Sequence, residues 1–205
     1  MSLLKSLFDK PWEYQGENPA LKGHELAEGL PPQKIALYAF LCVVFVLFGL
    51  FVTAYFVRME LDDWRPLQEP GMLWLNTFIL FLCSVAMQWT RGLVTKDQRD
   101  KVKIGMVVSG ILTVGFIYGQ LIAWEELNNA GFYLASNPAN SFFYVLTGIH
   151  ALHMLGGLLV WISSTVKVWS GTEVKAVKLS VELCAVYWHF LLLVWLILFA
   201  LLSYT

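Results

Sequence analysis

Charge is what this sequence has least of. Lys, Arg, Asp and Glu make up 14% of its 205 residues against 58% hydrophobic, and the formal net charge is −1. A surface for nucleic acid, which needs a basic excess, is excluded by that balance. With a mean hydropathy of +0.61 and apolar blocks of about 20 residues or more, the chain reads as an integral membrane protein. Cysteine is scarce too: Cys42, Cys83 and Cys184 stand in three different apolar blocks with no Cys-x-x-Cys. They therefore read as small apolar residues, neither zinc ligands nor a disulfide framework. Proline is missing from the interior of every block, which argues against the broken helices of a transporter. The N-terminal stretch has no long apolar core and carries Asp9, Glu13, Glu17, Glu25 and Glu28. It is not expected to be a secretory signal, so the first span serves as its own insertion signal.

What is present is five apolar runs, at 35–57, 72–89, 104–124, 141–166 and 179–202. Each is close to the length of about 20 residues that crosses roughly 30 Å of hydrocarbon as a helix. The expected fold is all-α: a five-helix transmembrane bundle over residues 34–205, preceded by a polar arm at 1–33 broken by Pro11, Pro19, Pro31 and Pro32. The start of that arm, Leu3-Leu4-Lys5-Ser6-Leu7-Phe8, suits either a short amphipathic turn on the membrane surface or a solvated tail. Basic residues set the orientation, because basic loops stay in the cytoplasm. Lys5, Lys10, Lys22 and Lys34 in the arm fall on the same side as Arg91, Lys96, Arg99, Lys101, Lys103, Lys167, Lys175 and Lys178; only Arg58 and Arg65 fall on the other. Twelve against two predicts a cytoplasmic N-terminus, and five spans then put the C-terminal end outside.

Inside the spans the ionisable residues reduce to His150, His153, Glu182 and His189. Groups of this kind at bilayer depth face other helices rather than lipid. Glu182 and His189 are seven residues apart, which returns the helix to within about 20° of its starting direction, so they share a face. The simplest arrangement packs that face against the face of His150 and His153, a polar seam fastening two helices. A metal held by His150, His153 and His189 is conceivable, but one carboxylate is too few for a di-iron site. The sharper rival is a b-type haem between His153 and His189, both near mid-depth. Glu182, about a turn inside the cytoplasmic end of its span, can be a proton-entry group or can snorkel to the interface; no deeper acid continues a relay. Asn76, Thr77, Gln120 and Thr147 are of types that hydrogen-bond between helices, as are Gln88 and Thr113, and Gly115 with Gly119 forms a small-xxx-small pair.

The motifs gathered this way resemble subunit III of the haem-copper respiratory oxidases. They are Leu75-Asn76-Thr77, Gly119-Gln120, the run from Phe142 to His153, and Glu182 with Tyr187-Trp188-His189-Phe190 and Trp195, in the family's order. The likeness covers about residues 35–205 and is to the five-helix form, which lacks the first two helices of longer members. It implies an accessory subunit with no active site, haem or copper of its own, packed against subunit I and able to bind phospholipid. It also implies a setting in a bacterial inner membrane, within an oxidase or a larger respiratory supercomplex, and a supporting part in proton uptake. This sequence has Val43, Ala123 and Leu192 where the family often has acids, so any such part is expected to be indirect.

Overall fold

The computed structural model of the chain describes residues 31–67, 70–171 and 174–204. The arm expected at 1–33, with its surface turn, lies almost wholly outside the described residues. Every long element within them is a helix: α1 (Pro32–Met59), α2 (Met72–Thr95), α3 (Arg99–Asn129), α4 (Pro138–Trp169) and α5 (Val174–Tyr204). All five are long and apolar enough to cross a membrane, and each contains one of the apolar runs. The helices overrun the runs because polar turns such as 99–103 and 125–129 continue α3 past the hydrocarbon.

Local chemistry sets the ends. α4 starts at Asn137, whose side chain accepts the Ala139 N–H at 3.3 Å, with Pro138 in the first turn where its missing donor costs nothing. α3 stops at Gly131, φ 85°, where the Phe132 N–H turns back to the Leu127 carbonyl at 2.9 Å. A side chain would disfavour that left-handed backbone. Between α2 and α3 a turn of three residues bends through Asp97, φ 54°, with the Gln98 N–H on the Leu93 carbonyl. So tight a turn forces the two helices to lie antiparallel and adjacent.

Residues 37–205 form one compact unit. In it α2, α3, α4 and α5 close a ring, each packing on the next and α5 returning to α2. Along α2 the contacts to α3 step by seven residues, Asn76 on Gly119, Cys83 on Thr113 and Thr90 on Gly105. That is the repeat of left-handed helix pairs. A Cβ on Gly119 would overlap the Asn76 amide, and one on Gly105 the Thr90 hydroxyl. Gly115, the other half of the expected small-xxx-small pair, has nothing within 4 Å of its missing side chain, so the close approach belongs to Gly105 and Gly119 instead.

Trp188, Trp195, Phe116, Phe143, Met87 and Met106 fill the ring's interior. The outer wall is apolar: Leu159 is 70% exposed and Ile111 67%, as a lipid-facing surface requires. α1 stands apart from this ring. Among the described residues none of its Cα atoms comes within 8 Å of another helix. Its large aromatics bridge the gap: Phe40 and Phe48 reach His153 of α4, with ring centroids 6.4 and 5.6 Å away. Tyr55 meets Trp64 and Phe142 edge-on at 4.8 and 5.4 Å.

Candidate functional site

The four ionisable residues of the spans do not form one seam. His189 and Glu182 face α2, whereas His150 and His153 lie among aromatics between α1, α3 and α5. The His189 Nδ1 pairs with the Ser84 hydroxyl, and its Nε2 lies 3.1 Å from the Gln88 Oε1. One turn pair nearer the helix end, Arg91 Nη2 donates to Glu182 Oε1 at 3.2 Å, the two side chains being 40% and 22% exposed. Ser84 with His189 and Arg91 with Glu182 are therefore matched rungs seven residues apart on antiparallel helices, and Thr77 with Trp195 continues the ladder. The expected packing of one polar face of α4 on that of α5 does not form, because α5 lies between α2 and α4 and turns its Glu182–His189 face to α2.

His150 is fully buried with rings on several sides: Trp195 at 5.1 Å, Phe116 at 5.9 Å and Phe48 at 6.5 Å between centroids. Neither ring nitrogen has a hydrogen-bond partner among the described residues. His153 donates from Nδ1 to the Ile149 carbonyl one turn back, at 2.8 Å. α4 and α5 are joined instead by the Tyr187 hydroxyl, which donates to the His153 carbonyl at 2.8 Å, and by Ser164 with Cys184 at 3.2 Å. Gly157 completes this joint, since a side chain there would overlap the Tyr187 ring.

The residues of interhelical type all lie at helix contacts. Asn76 Nδ2 donates to Gln120 Oε1 at 3.3 Å. Thr77 and Thr147 belong to a device the sequence reading missed. Four indole N–H groups each donate to a hydroxyl on another helix: Trp195 to Thr77 at 2.9 Å, Trp124 to Thr147 at 3.1 Å, Trp188 across the ring to Thr113 at 3.1 Å and Trp161 to Ser109 at 3.2 Å. Each hydroxyl in turn donates to a carbonyl of its own helix, at Leu73, Phe143, Ser109 and Met106. Every proton of the relay ends on an acceptor, as burial demands. The cysteines are more than apolar filler, since Cys83 and Cys184 both sit within thiol hydrogen-bonding distance of hydroxyls. Ser84 and Arg91 were missed as well. The signal for them was the seven-residue step Thr77, Ser84, Arg91, which mirrors the step from Glu182 to His189.

The fit of these donors to a metal or a haem can be tested directly. Among the described residues no three His, Cys, Asp or Glu side chains converge on a point that could hold a metal ion. His153 packs on α1 while His189 turns to α2, so the two do not face a common gap and the geometry gives the haem arrangement no support. Outside the hydrocarbon, Arg58 grips Asp63 through Nη1 and Oδ1 at 2.6 Å. This hydrogen bond to the guanidinium, with its positive charge, holds the Asp63 carboxyl below the usual carboxylate range.

Residues 34–205 match the family model of cytochrome c oxidase subunit III. Among similar proteins, cytochrome c oxidase subunit 3 of Synechocystis sp. is 28% identical over 164 residues, covering 76% of this chain and 68% of that one. The subunit 3 of Thermostichus vulcanus is 28% identical over 173 residues, 82% of this chain and 85% of its own. The probable subunit 3 of Nocardia farcinica is 27% identical over 158 residues, 74% and 77% of the two chains. The match takes in all five helices and every residue of the ladder and the tryptophan relay, and the chain belongs to the cytochrome c oxidase subunit III family.

Proposed function

We propose that this chain is the accessory subunit that braces subunit I of a respiratory terminal oxidase and carries no redox centre itself. The observation that supports this is the fate of its polar side chains at membrane depth. Most are taken up in hydrogen bonds, those of His189 and Glu182 running from helix to helix, and among the described residues no three metal-ligating side chains converge. Haem and copper then belong to subunit I, where oxygen is reduced and protons are moved. This chain fixes that subunit's flank, and by filling it decides which lipids and which water paths reach the catalytic core. Any part in proton uptake is indirect. Val43, at a position where the family often has an acid, is 68% exposed on the outer wall of α1, and Ala123 is sealed in the core. The setting is a bacterial inner membrane, with the N-terminus cytoplasmic and the C-terminal end outside, as the basic loops require; the wider assembly is a respiratory supercomplex.

Spectroscopy on the purified chain tests the reading. The expected spectrum has no Soret band, and oxidase lacking this chain keeps its full haem content while becoming less durable in turnover. A stoichiometric Soret band that disappears in His189→Leu would overturn it.

Glu182→Gln gives a second expected outcome. The substitution weakens the rung with Arg91, and because that rung is partly exposed the loss is modest, about 1 kcal/mol or less. Less oxidase should assemble, while turnover and the proton-pumping ratio of what assembles stay near normal. Full assembly with a collapsed pumping ratio would instead make Glu182 a direct proton carrier.

A further inference from the structure

Two imidazoles near the middle of α4 keep polar atoms that the bundle does not satisfy. His150 and His153 are three residues apart, so their side chains are neighbours on one helix face. Phe48 of α1 stands over both, its ring centroid 6.5 Å from that of His150 and 5.6 Å from that of His153. His150 is fully buried, and neither of its ring nitrogens meets a hydrogen-bond partner among the described residues. A neutral imidazole carries one N–H and one bare nitrogen, so a donor and an acceptor are both unmet there. His153 gives its Nδ1 proton to the Ile149 carbonyl, which leaves Nε2 as a bare acceptor. Their polar neighbours are committed elsewhere: the Thr147 hydroxyl to Phe143 and Trp124, and the Trp195 indole N–H to Thr77.

A buried polar atom without a partner is costly, and what meets these atoms has to accept from one imidazole and donate to the other. A lipid tail does neither, and a lipid ester or phosphodiester only accepts. The guest is neutral, because no Cys, Asp or Glu joins the pair among the described residues and an uncompensated cation at this depth is expensive. It is also small, since His150 has no exposed surface. We infer that His150 and His153 hold a water molecule between them beneath Phe48, which accepts from the His150 N–H and donates to His153 Nε2. α1 leaves a way in, for it keeps its backbone off the ring and touches it through aromatic side chains. Phe48 is also one wall of a cleft of about 130 Å³, with Gly49 of α1 and Val194 and Leu198 of α5. A water molecule occupies roughly 30 Å³, so the cleft admits it and a turn of the Phe48 ring passes it on. Phe48 is thereby the cover that keeps a hydrated pair of imidazoles from lipid. The inference concerns this chain alone and stands apart from the oxidase reading.

Solid-state NMR on the full chain in phosphatidylcholine bilayers, with nitrogen-15 in its histidines and tryptophans, tests this. Water-edited spectra should show transfer from water to the imidazoles of His150 and His153. The Trp188 indole, equally buried but already bonded to Thr113, should receive about a fifth as much or less. Because one molecule serves both residues, His150→Leu should lower the transfer at His153 by about fivefold, and His153→Leu that at His150. His150→Gln, whose amide keeps a donor, should retain the transfer at His153. Phe48→Ala should shorten the residence of the water by about tenfold or more. If the variants do not fold, the parent spectrum decides alone: no transfer from water to His150 overturns the site. Transfer at His153 that is unchanged in His150→Leu overturns it too, as does one equivalent of copper or zinc on the purified parent chain that the same variant loses.

Discussion

Trp195→Ala will destabilise the bundle by about 3–5 kcal/mol, the range for truncating a buried Trp. The indole is 1% exposed, stands edge-on to Phe116 at 4.9 Å and lies over His150 at 5.1 Å. It also ties α5 to α2 through Thr77 at 2.9 Å. Removing it opens a cavity where all four helices of the ring meet. Leaving lipid gives a membrane helix little hydrophobic gain, so packing carries most of the stability and the lost contacts are not recovered elsewhere. Thr77→Val separates the bond from the volume. It keeps the shape, leaves the indole N–H without its acceptor, and should cost about 0.6–2 kcal/mol. Denaturation of the purified chain in micelles by sodium dodecyl sulfate, followed by circular dichroism, reads both. Equal losses for the two variants would mean the hydrogen bond, not the packing, holds this joint.

Gly119→Val should be comparably severe by the opposite route. The added Cβ falls on the Asn76 amide, which is fully buried and bonded to Gln120. Asn76 has no free space to retreat into, so α2 and α3 must separate, stretching the contacts at Cys83 and Thr90 along the same heptad. Overpacking of this kind costs about 1–3 kcal/mol, and rupture of the buried amide pair adds to it. Gly115→Val, four residues away with open space at its Cα, should be close to neutral in the same denaturation experiment. A large loss at Gly115 and none at Gly119 would contradict the antiparallel register.

The contrast between those two glycines marks how far the sequence could be read. Five spans and their order followed from apolar run length, because hydrocarbon thickness leaves little choice; the helix ends did not, since α2 and α3 run on past their apolar runs. The polar residues worth naming were also visible, since an imidazole or amide inside such a run is rare. Which helix each one met was not visible. Glu182 and His189 share a face by periodicity, but period alone assigns no neighbour, and Arg91 looked like a loop residue until α2 was seen to run on to Thr95. The tryptophan relay was hidden for a different reason. Each indole lies far along the chain from its hydroxyl, so no local spacing connects Trp195 to Thr77 or Trp188 to Thr113. Gly115 and Gly119 fit the same four-residue pattern equally well, and only the rotation of α3 about its axis tells them apart.

The separation of α1 from the ring carries a consequence for biogenesis. As ribosomes build the chain from its N-terminal side, α1 is made before the other four helices, yet side chains it rests on, His153 and Tyr187, belong to the last two of the five. During most of synthesis it therefore waits alone in the bilayer, while α2 and α3 can pair as soon as their short turn is complete. A lateral chaperone or insertase that shelters a solitary helix would act on α1 before the other four helices of the bundle.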